Sequence, residues 1–284
     1  MLASKTFYSE RRGTVTEVLK KERQQIFDDL YSGRIPKRVP IVVGFPIEFS
    51  IPYCGEDLFE VQWDLPRMQK VFQTICEDFP TDVVPNEAFR LPLYYKILGA
   101  KGIVQSSSGF MQHPEISSMQ AEEYDEYIAD PYTFLCEKVL PRLYTALDTD
   151  PVNRSFAFAK AYKAYQDTFA FVGGINGQMT EQYGHWEPPK GSCGFAEAPM
   201  DFLADFLRSF SGITLDVRRH PQKVIDACEA TIPLMIKAGM PKNPSYLGRT
   251  HFPLHMAPFM REKDFKRLWW PSFKKVCDVL AEHG

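Results

Sequence analysis

The sequence predicts an α/β fold on a parallel sheet, of the (β/α)8 TIM-barrel type, covering about the first half of such a barrel with a helical insertion. Three observations predict it. Short apolar runs alternate with amphipathic stretches along the chain, the pattern of parallel strands joined by helical crossovers. The segment Tyr246 to Glu282 reads as strand, polar loop and amphipathic helix, one complete βα unit. Four strands can be counted where a closed barrel needs eight. The barrel is therefore expected to be open and incomplete, the chain stopping at Gly284 where a further strand is due. Residues 1–34 read as an N-terminal tail and helix, and 35–284 as the barrel domain, truncated at its C-terminus.

The elements follow in order. Residues 1–13 read as a loose tail. Thr14-Val-Thr-Glu17 forms a capping box for a helix carrying Val15, Val18, Leu19, Ile26, Phe27 and Leu30, and Gly33 ends it. Ile41–Phe45 is expected as the first buried strand, followed by a loop from Pro46 to Asp64. Asp64 and Pro66 start a helix to Phe79 with Met68, Val71, Phe72 and Ile75 turned inward. Thr81–Pro85 is the second strand. Ile103 to Gly109 is a short extended piece and a turn, and Gln112–Glu115 a polar loop. Residues 117–147 are largely helical, reset at Asp130-Pro131. A long helix from Asn153 to Val172 is expected to break at Gly173-Gly174, leaving a loop to residue 190. Gly191–Ala196 is the third strand. Pro199 opens a helix closed by Gly212, and Pro221 another, bent at Pro233 and ended by Gly239. Tyr246–Phe252 is the fourth strand, and Glu262 to Glu282 a helix with Phe265, Leu268, Trp269, Phe273, Val276 and Leu280 on one side.

Composition narrows the function. With 44% hydrophobic and 24% charged residues, the 284-residue chain is ordinary for a globular protein. A net charge of −3 gives no reason to expect nucleic acid or an anionic membrane as partner. No apolar run reaches the roughly 20 residues of a membrane-spanning helix, and the N-terminus lacks a signal-peptide core, so the chain reads as cytoplasmic. Its six cysteines are scattered without a Cys-x-x-Cys pair and read as small buried hydrophobes in a reducing compartment. Phosphate-loop, nucleophile-elbow and His-Glu-x-x-His patterns do not occur.

What remains are polar residues at strand ends, where a barrel of βα units gathers its function. His251 and His255 follow the fourth strand, Glu48 the first, and Asn86 and Glu87 the second. Gln112 and His113 share a polar loop. Each is equally consistent with an ordinary hydrogen-bonded or solvated residue. Met260, with Met256 and Phe259, reads as pocket lining or as packing. His185 and His220 read as surface residues, and Arg218-Arg219, following Asp216, as an ion-paired surface corner.

Several stretches together resemble the uroporphyrinogen decarboxylase superfamily, and within it the cobalamin-dependent methyltransferases of the O-demethylase type. They are Gly33-Arg-Ile-Pro-Lys-Arg-Val-Pro40, Gln112-His-Pro-Glu115, Glu122-Glu-Tyr-Asp-Glu-Tyr-Ile-Ala-Asp-Pro131, the run from Ala198 to Pro221, and Pro253-Leu-His255 with Phe259-Met260. The resemblance implies a (β/α)8 barrel with its site at the C-terminal mouth. It implies methyl transfer between a small methylated substrate and a corrinoid (cobalamin) carried on a partner protein, with a zinc ion as Lewis acid. The zinc ligands are expected beyond residue 284. His255 is then the expected catalytic residue and His113 its support, with His251, Gln112, Glu48, Asn86, Glu87 and Met260 binding substrate. Two rivals stay open: decarboxylation of uroporphyrinogen, which needs no cofactor, and an inactive truncated remnant.

One departure weighs against decarboxylation. The decarboxylases hold their substrate's many carboxylates with an arginine-rich loop after the first strand, and here no arginine occurs between Arg38 and Arg67. Purified protein incubated with uroporphyrinogen is therefore predicted to form no coproporphyrinogen; its appearance would defeat this expectation.

Overall fold

The structure is a computed structural model describing residues 14–284. The tail expected at 1–13 and the capping role of the Thr14 side chain lie outside the described residues. The described residues are mostly helical, with six strands of two or three residues among them. It divides into two compact units. The first takes residues 1–98, 103–113 and 155–187, and the second 99–102, 114–154 and 188–284.

In the first unit, α1 (Thr14–Tyr31) ends at Gly33, whose φ of +72° suits a residue without a side chain. Of its expected face, Ile26 and Phe27 are buried, while Val18 and Leu30 are exposed. Phe27 stacks on Trp186 with ring centroids 3.9 Å apart. β1 (Phe45–Pro46) runs parallel to the later strand β2 (Asn86–Glu87), Phe45 opposite Asn86 and Pro46 opposite Glu87. β1 lies at the far end of the expected first strand, and β2 just past the expected second, Thr81–Pro85. Ile41, Val42 and Val43 are not buried but 51%, 47% and 40% exposed. A single residue ties down the start of this stretch: the Ile41 N–H donates to Asp82 Oδ2 at 2.7 Å and its carbonyl accepts from the Asp82 N–H at 2.9 Å.

The expected loop after β1 is instead helix α2 (Ile47–Tyr53), which buries Ile47 and Ile51 directly behind the strand. Its prolines disguise it: Pro46 stands at the N-cap, and Pro52 lies in the last turn, where it removes one intrahelical N–H. α3 (Met68–Asp78) buries Met68, Val71, Phe72 and Ile75 as expected. β3 (Val104–Gln105) and β4 (Met111–Gln112) form an antiparallel hairpin around Gly109, so Gln112 belongs to a strand and not to a loop.

α4 (Pro151–Tyr183) runs through Gly173, Gly174 and Gly177 without a break. Each glycine costs about 1 kcal/mol relative to alanine. Val172, Ile175, Met179 and Tyr183 are buried on that stretch, and burying such side chains contributes about 1.5–3 kcal/mol each. Burial outweighs the glycines, so the helix continues.

The tie that closes this unit is a buried ion cluster. Asp82 accepts from Arg23 Nε at 3.0 Å and from both terminal nitrogens of Arg38 at 2.6 Å. Arg23 also donates to the carbonyls of Tyr183 and Gly184 at 2.7 Å and of Thr81 at 2.8 Å. Helix α1, the segment before β1, the approach to β2 and the end of α4 thus share one knot. His185 beside it is buried, not a surface residue; burial and the neighbouring Arg23 push its pKa down to about 4, which keeps it neutral.

In the second unit, Asp130 resets the helical stretch as expected, its carboxylate accepting from the Thr133 N–H at 3.0 Å. β5 (Cys193–Phe195) leads into a helical turn, Pro199–Phe202, that widens to a π-helical segment, Leu203–Arg208. α5 (Ser209–Arg219) follows and contains Gly212, so that glycine does not close the helix. α6 (Pro221–Gly239) accommodates Pro233 internally. β6 (Arg249–His251) pairs parallel with β5, Cys193 opposite Arg249, Gly194 opposite Thr250 and Phe195 opposite His251. A π-helical turn, Phe265–Trp269, then enters α7 (Trp270–Glu282). Leu268, Trp269, Phe273, Val276 and Leu280 are buried as the periodicity predicts. Gly194 is required where it stands: a Cβ there would meet the Gly239 carbonyl oxygen at 1.9 Å, so β5 rests directly on the end of α6.

The Asp82 knot has a measurable consequence in acid. Burial alone would raise its pKa, but hydrogen bonds from Arg38, the Ile41 N–H and Arg23 outweigh it and hold the carboxyl down at about 2. A depressed pKa contributes stability that is present above the unfolded value near 4 and is lost as pH falls through about 2. Asp82→Asn should cost about 3–5 kcal/mol at neutral pH by stranding Arg23, and should flatten the acid limb of urea-unfolding stability between pH 4 and 2. Glu123, held at about 2 mainly by Arg142, keeps a residual slope. Equal stability of variant and parent at pH 7 would contradict this.

Candidate functional site

The site in the second unit is built from the turn after β5 and the loop after β6. Because the two strands are parallel, both connections leave from the same end of the pair. Pro199 starts the first turn after β5, and this brings Asp201 inside, where it is fully buried. Its Oδ1 accepts from the backbone N–H groups of His255 and of Met256, the latter at 2.8 Å. Its Oδ2 accepts from Trp269 Nε1 at 2.5 Å. One carboxylate thus fixes the loop after β6 and the π turn before α7. A buried charge is tolerated only with such donors, each hydrogen bond to a charged group contributing about 1.5–3 kcal/mol.

One turn further on, Asp205 Oδ2 lies 2.7 Å from His255 Nδ1. An ionised carboxylate can only accept, so Nδ1 carries the hydrogen and Nε2 is left as the imidazole's second functional nitrogen. The His255 side chain is 50% exposed and that of Asp205 20%. Asp205 stands in the π-helical segment, and such widened turns frequently mark functional positions. The segment ends at Ser209, whose φ of +65° is strained for a residue with a side chain, at a cost of about 1–3 kcal/mol. Its Oγ accepts from the Gly212 N–H at 3.2 Å, which helps to hold it.

Beneath these residues, Arg208 donates from Nε to Asp216 Oδ2 at 2.6 Å, and the Tyr124 hydroxyl donates to the same oxygen at 2.8 Å. Burial, and next the Asp216 hydrogen bond, raise the Tyr124 pKa above its ordinary value, so it remains a donor. Asp216 is therefore buried with Arg208 and does not form the expected surface corner with Arg218-Arg219. Arg218 instead lines a cavity of about 590 Å³, together with Met200, Met256, Met260, Phe210 and Phe259. Phe210 and Phe259 meet edge to face at 5.4 Å.

The expected site residues divide between the units. Met260 lines this cavity, and His255 precedes the cavity residue Met256. His251 sits on β6 with its ring stacked on Phe195 at 5.8 Å. In the first unit, Glu48 is in the opening turn of α2, and Glu87 ends β2 with its carboxylate against Gly44. Asn86 is buried; its Nδ2 donates to the Phe72 carbonyl and to Asn176 Oδ1, both at 3.4 Å, so its amide ties α3 to α4. Gln112 and His113 are exposed at and just beyond β4. Asp201 and Asp205 were not anticipated. Their signal was present: two carboxylates four residues apart on a helix otherwise filled by Phe202, Leu203, Phe206 and Leu207.

Cys76 and Cys228 are buried thiols, burial pushing Cys76 up to about 12. Among the described residues no three His, Cys, Asp or Glu side chains gather to hold a metal ion. The zinc implied by the family resemblance therefore has no ligand set among them. No helix among the described residues is long and apolar enough to cross a membrane. Comparison with known protein families and with curated proteins returns no match for this chain.

The two aspartates should separate by role. In Asp201→Asn one acceptor oxygen becomes a donor, so at least one of its three N–H partners is orphaned; stability should fall by about 1–3 kcal/mol with a change in Trp269 fluorescence. Asp205→Asn, at a half-exposed pair, should cost under about 1 kcal/mol. Equal costs in urea unfolding would contradict the assignment.

Proposed function

We propose that this protein moves a methyl group from a small methylated compound to a corrinoid carried on a partner protein. The observation that carries the reading is the pairing of Asp205, in the π-helical segment after β5, with His255 in the loop after β6, one residue before Met256, which lines a cavity with Met200 and Met260. The resemblance of Ala198–Pro221 and Pro253–Met260 to cobalamin-dependent methyltransferases supports it from the sequence side.

The chemistry needs such a pair. A corrinoid on the partner protein would supply the methyl acceptor, and transfer to it would break the substrate's O–CH3 bond and leave that bond's electrons on oxygen. An alkoxide or phenoxide is a poor leaving group unless that charge is neutralised. Asp205 holds Nδ1–H and fixes the ring, so a protonated His255 can deliver its Nε2 proton to the departing oxygen. Asp201 acts one step back by fixing the backbone at residues 255–256. The methionine and phenylalanine side chains of the cavity hold the substrate body.

The test is methyl transfer to free cob(I)alamin, followed by its absorbance, across methoxyarenes, methanol and methylamines with zinc present and absent. Turnover with at least one oxygen-linked donor is expected. His255→Ala should lower the rate by about 10²–10⁴-fold, the usual worth of a general acid, with unchanged melting. No methylcobalamin from any donor, or full activity of His255→Ala, would defeat the reading.

A further inference from the structure

The cavity that Met256 lines joins methionine and phenylalanine side chains to three cations. Arg218 from α5 and Arg261 and Lys263 from the segment after β6 all line it, with Asp264 the single acidic residue among the lining side chains. Two cations nearby are neutralised: Arg208 pairs with Asp216, and Lys266 with Glu262. Among the described residues, Arg218, Arg261 and Lys263 make no ion pair. Two guanidinium groups and an ammonium are therefore left facing a cavity floored by methionine and phenylalanine. A guanidinium presents a planar fork of donors suited to a carboxylate or phosphate. Methionines adapt to irregular apolar bodies, and Phe259, 76% exposed, has a free face to stack on one.

We propose that this cavity binds a small organic anion: an apolar, ring-sized body on Met256, Met260 and Phe259, with a carboxylate or phosphate held by Arg218 and Arg261. As a statement about binding it stands alone. Identifying that anion with the methyl donor rests on the methyl-transfer reading, and the experiment below involves no methyl transfer, so the two can fail separately.

Calorimetric titration with three probes of one shape tests it: 2-naphthoate, 2-naphthyl phosphate and the neutral 2-naphthamide. At least one anion should bind about tenfold or more tightly than the amide, a factor equivalent to about 1.4 kcal/mol. Which anion binds more tightly distinguishes a carboxylic acid from a phosphate monoester as the native class. Raising the salt concentration should narrow the gap to the amide, because the cations are exposed. The double variant Arg218→Gln/Arg261→Gln should abolish the preference while binding of the amide stays within about threefold. Phe259→Ala should weaken all three probes alike, and Lys274→Gln, on the outer side of α7 and paired with Asp278, should change none. Equal binding of amide and anions, an anion preference that survives the double variant, or indifference to Phe259→Ala would overturn the proposal.

Discussion

The buried carboxylate of Asp201 is the constraint on which the site depends. It has no solvent of its own and is satisfied by N–H donors from three residues: His255, Met256 and Trp269. Two of these belong to the loop after β6 and the third to the turn before α7. Without that anion the loop would have no fixed anchor and His255 no fixed position relative to Asp205. The first unit uses the same device with different chemistry. Asp82 is neutralised by Arg23 and Arg38, whereas Asp201 is stabilised by dipolar donors alone. The difference fits the two tasks: the Asp82 knot ties distant chain segments together, while Asp201 sets the geometry of one loop.

The strands explain why such anchors are needed. Each parallel pair is only two or three residues long, and parallel ladders are slightly weaker per residue than antiparallel ones. A ladder this short cannot hold its own register. Packing does so instead: Gly194 against the end of α6, the Thr250 hydroxyl donating to the Gly239 carbonyl at 2.8 Å, and Asn86 between α3 and α4. Side-chain contacts thus fix the strand ends, and these ends carry the polar residues.

Much of this was legible in the sequence. The alternation of strands and helices located both parallel pairs, and the periodicity of α3 and of Leu268–Leu280 identified their buried faces. The position of His255 after a parallel strand was legible from the strand–loop–helix pattern, and Met260 from its reading as pocket lining. The failures share a physical cause, namely that local pattern does not report tertiary context. Ile41–Val43 reads as a buried strand by composition, yet its hydrogen bonding comes from Asp82 at one end only. Gly173-Gly174 reads as a break, yet the side chains beyond it are buried strongly enough to carry α4 through. Asp216 reads as the partner of its neighbours Arg218-Arg219, yet it is paired with Arg208, eight residues back at the end of the π-helical segment. The structural value of Asp201 was invisible because its three donors lie more than fifty residues away.

The central claim is that Asp205 fixes His255 with Nδ1 as donor and Nε2 available for chemistry. Long-range ¹H–¹⁵N correlation of the imidazole nitrogens of the neutral ring tests it directly, with His255→Gln used to assign the signals. The account predicts a protonated Nδ1 and a bare Nε2 in the parent, with that tautomer preference lost in Asp205→Ala. A neutral ring protonated at Nε2, or a tautomer ratio unchanged by removing Asp205, would contradict it.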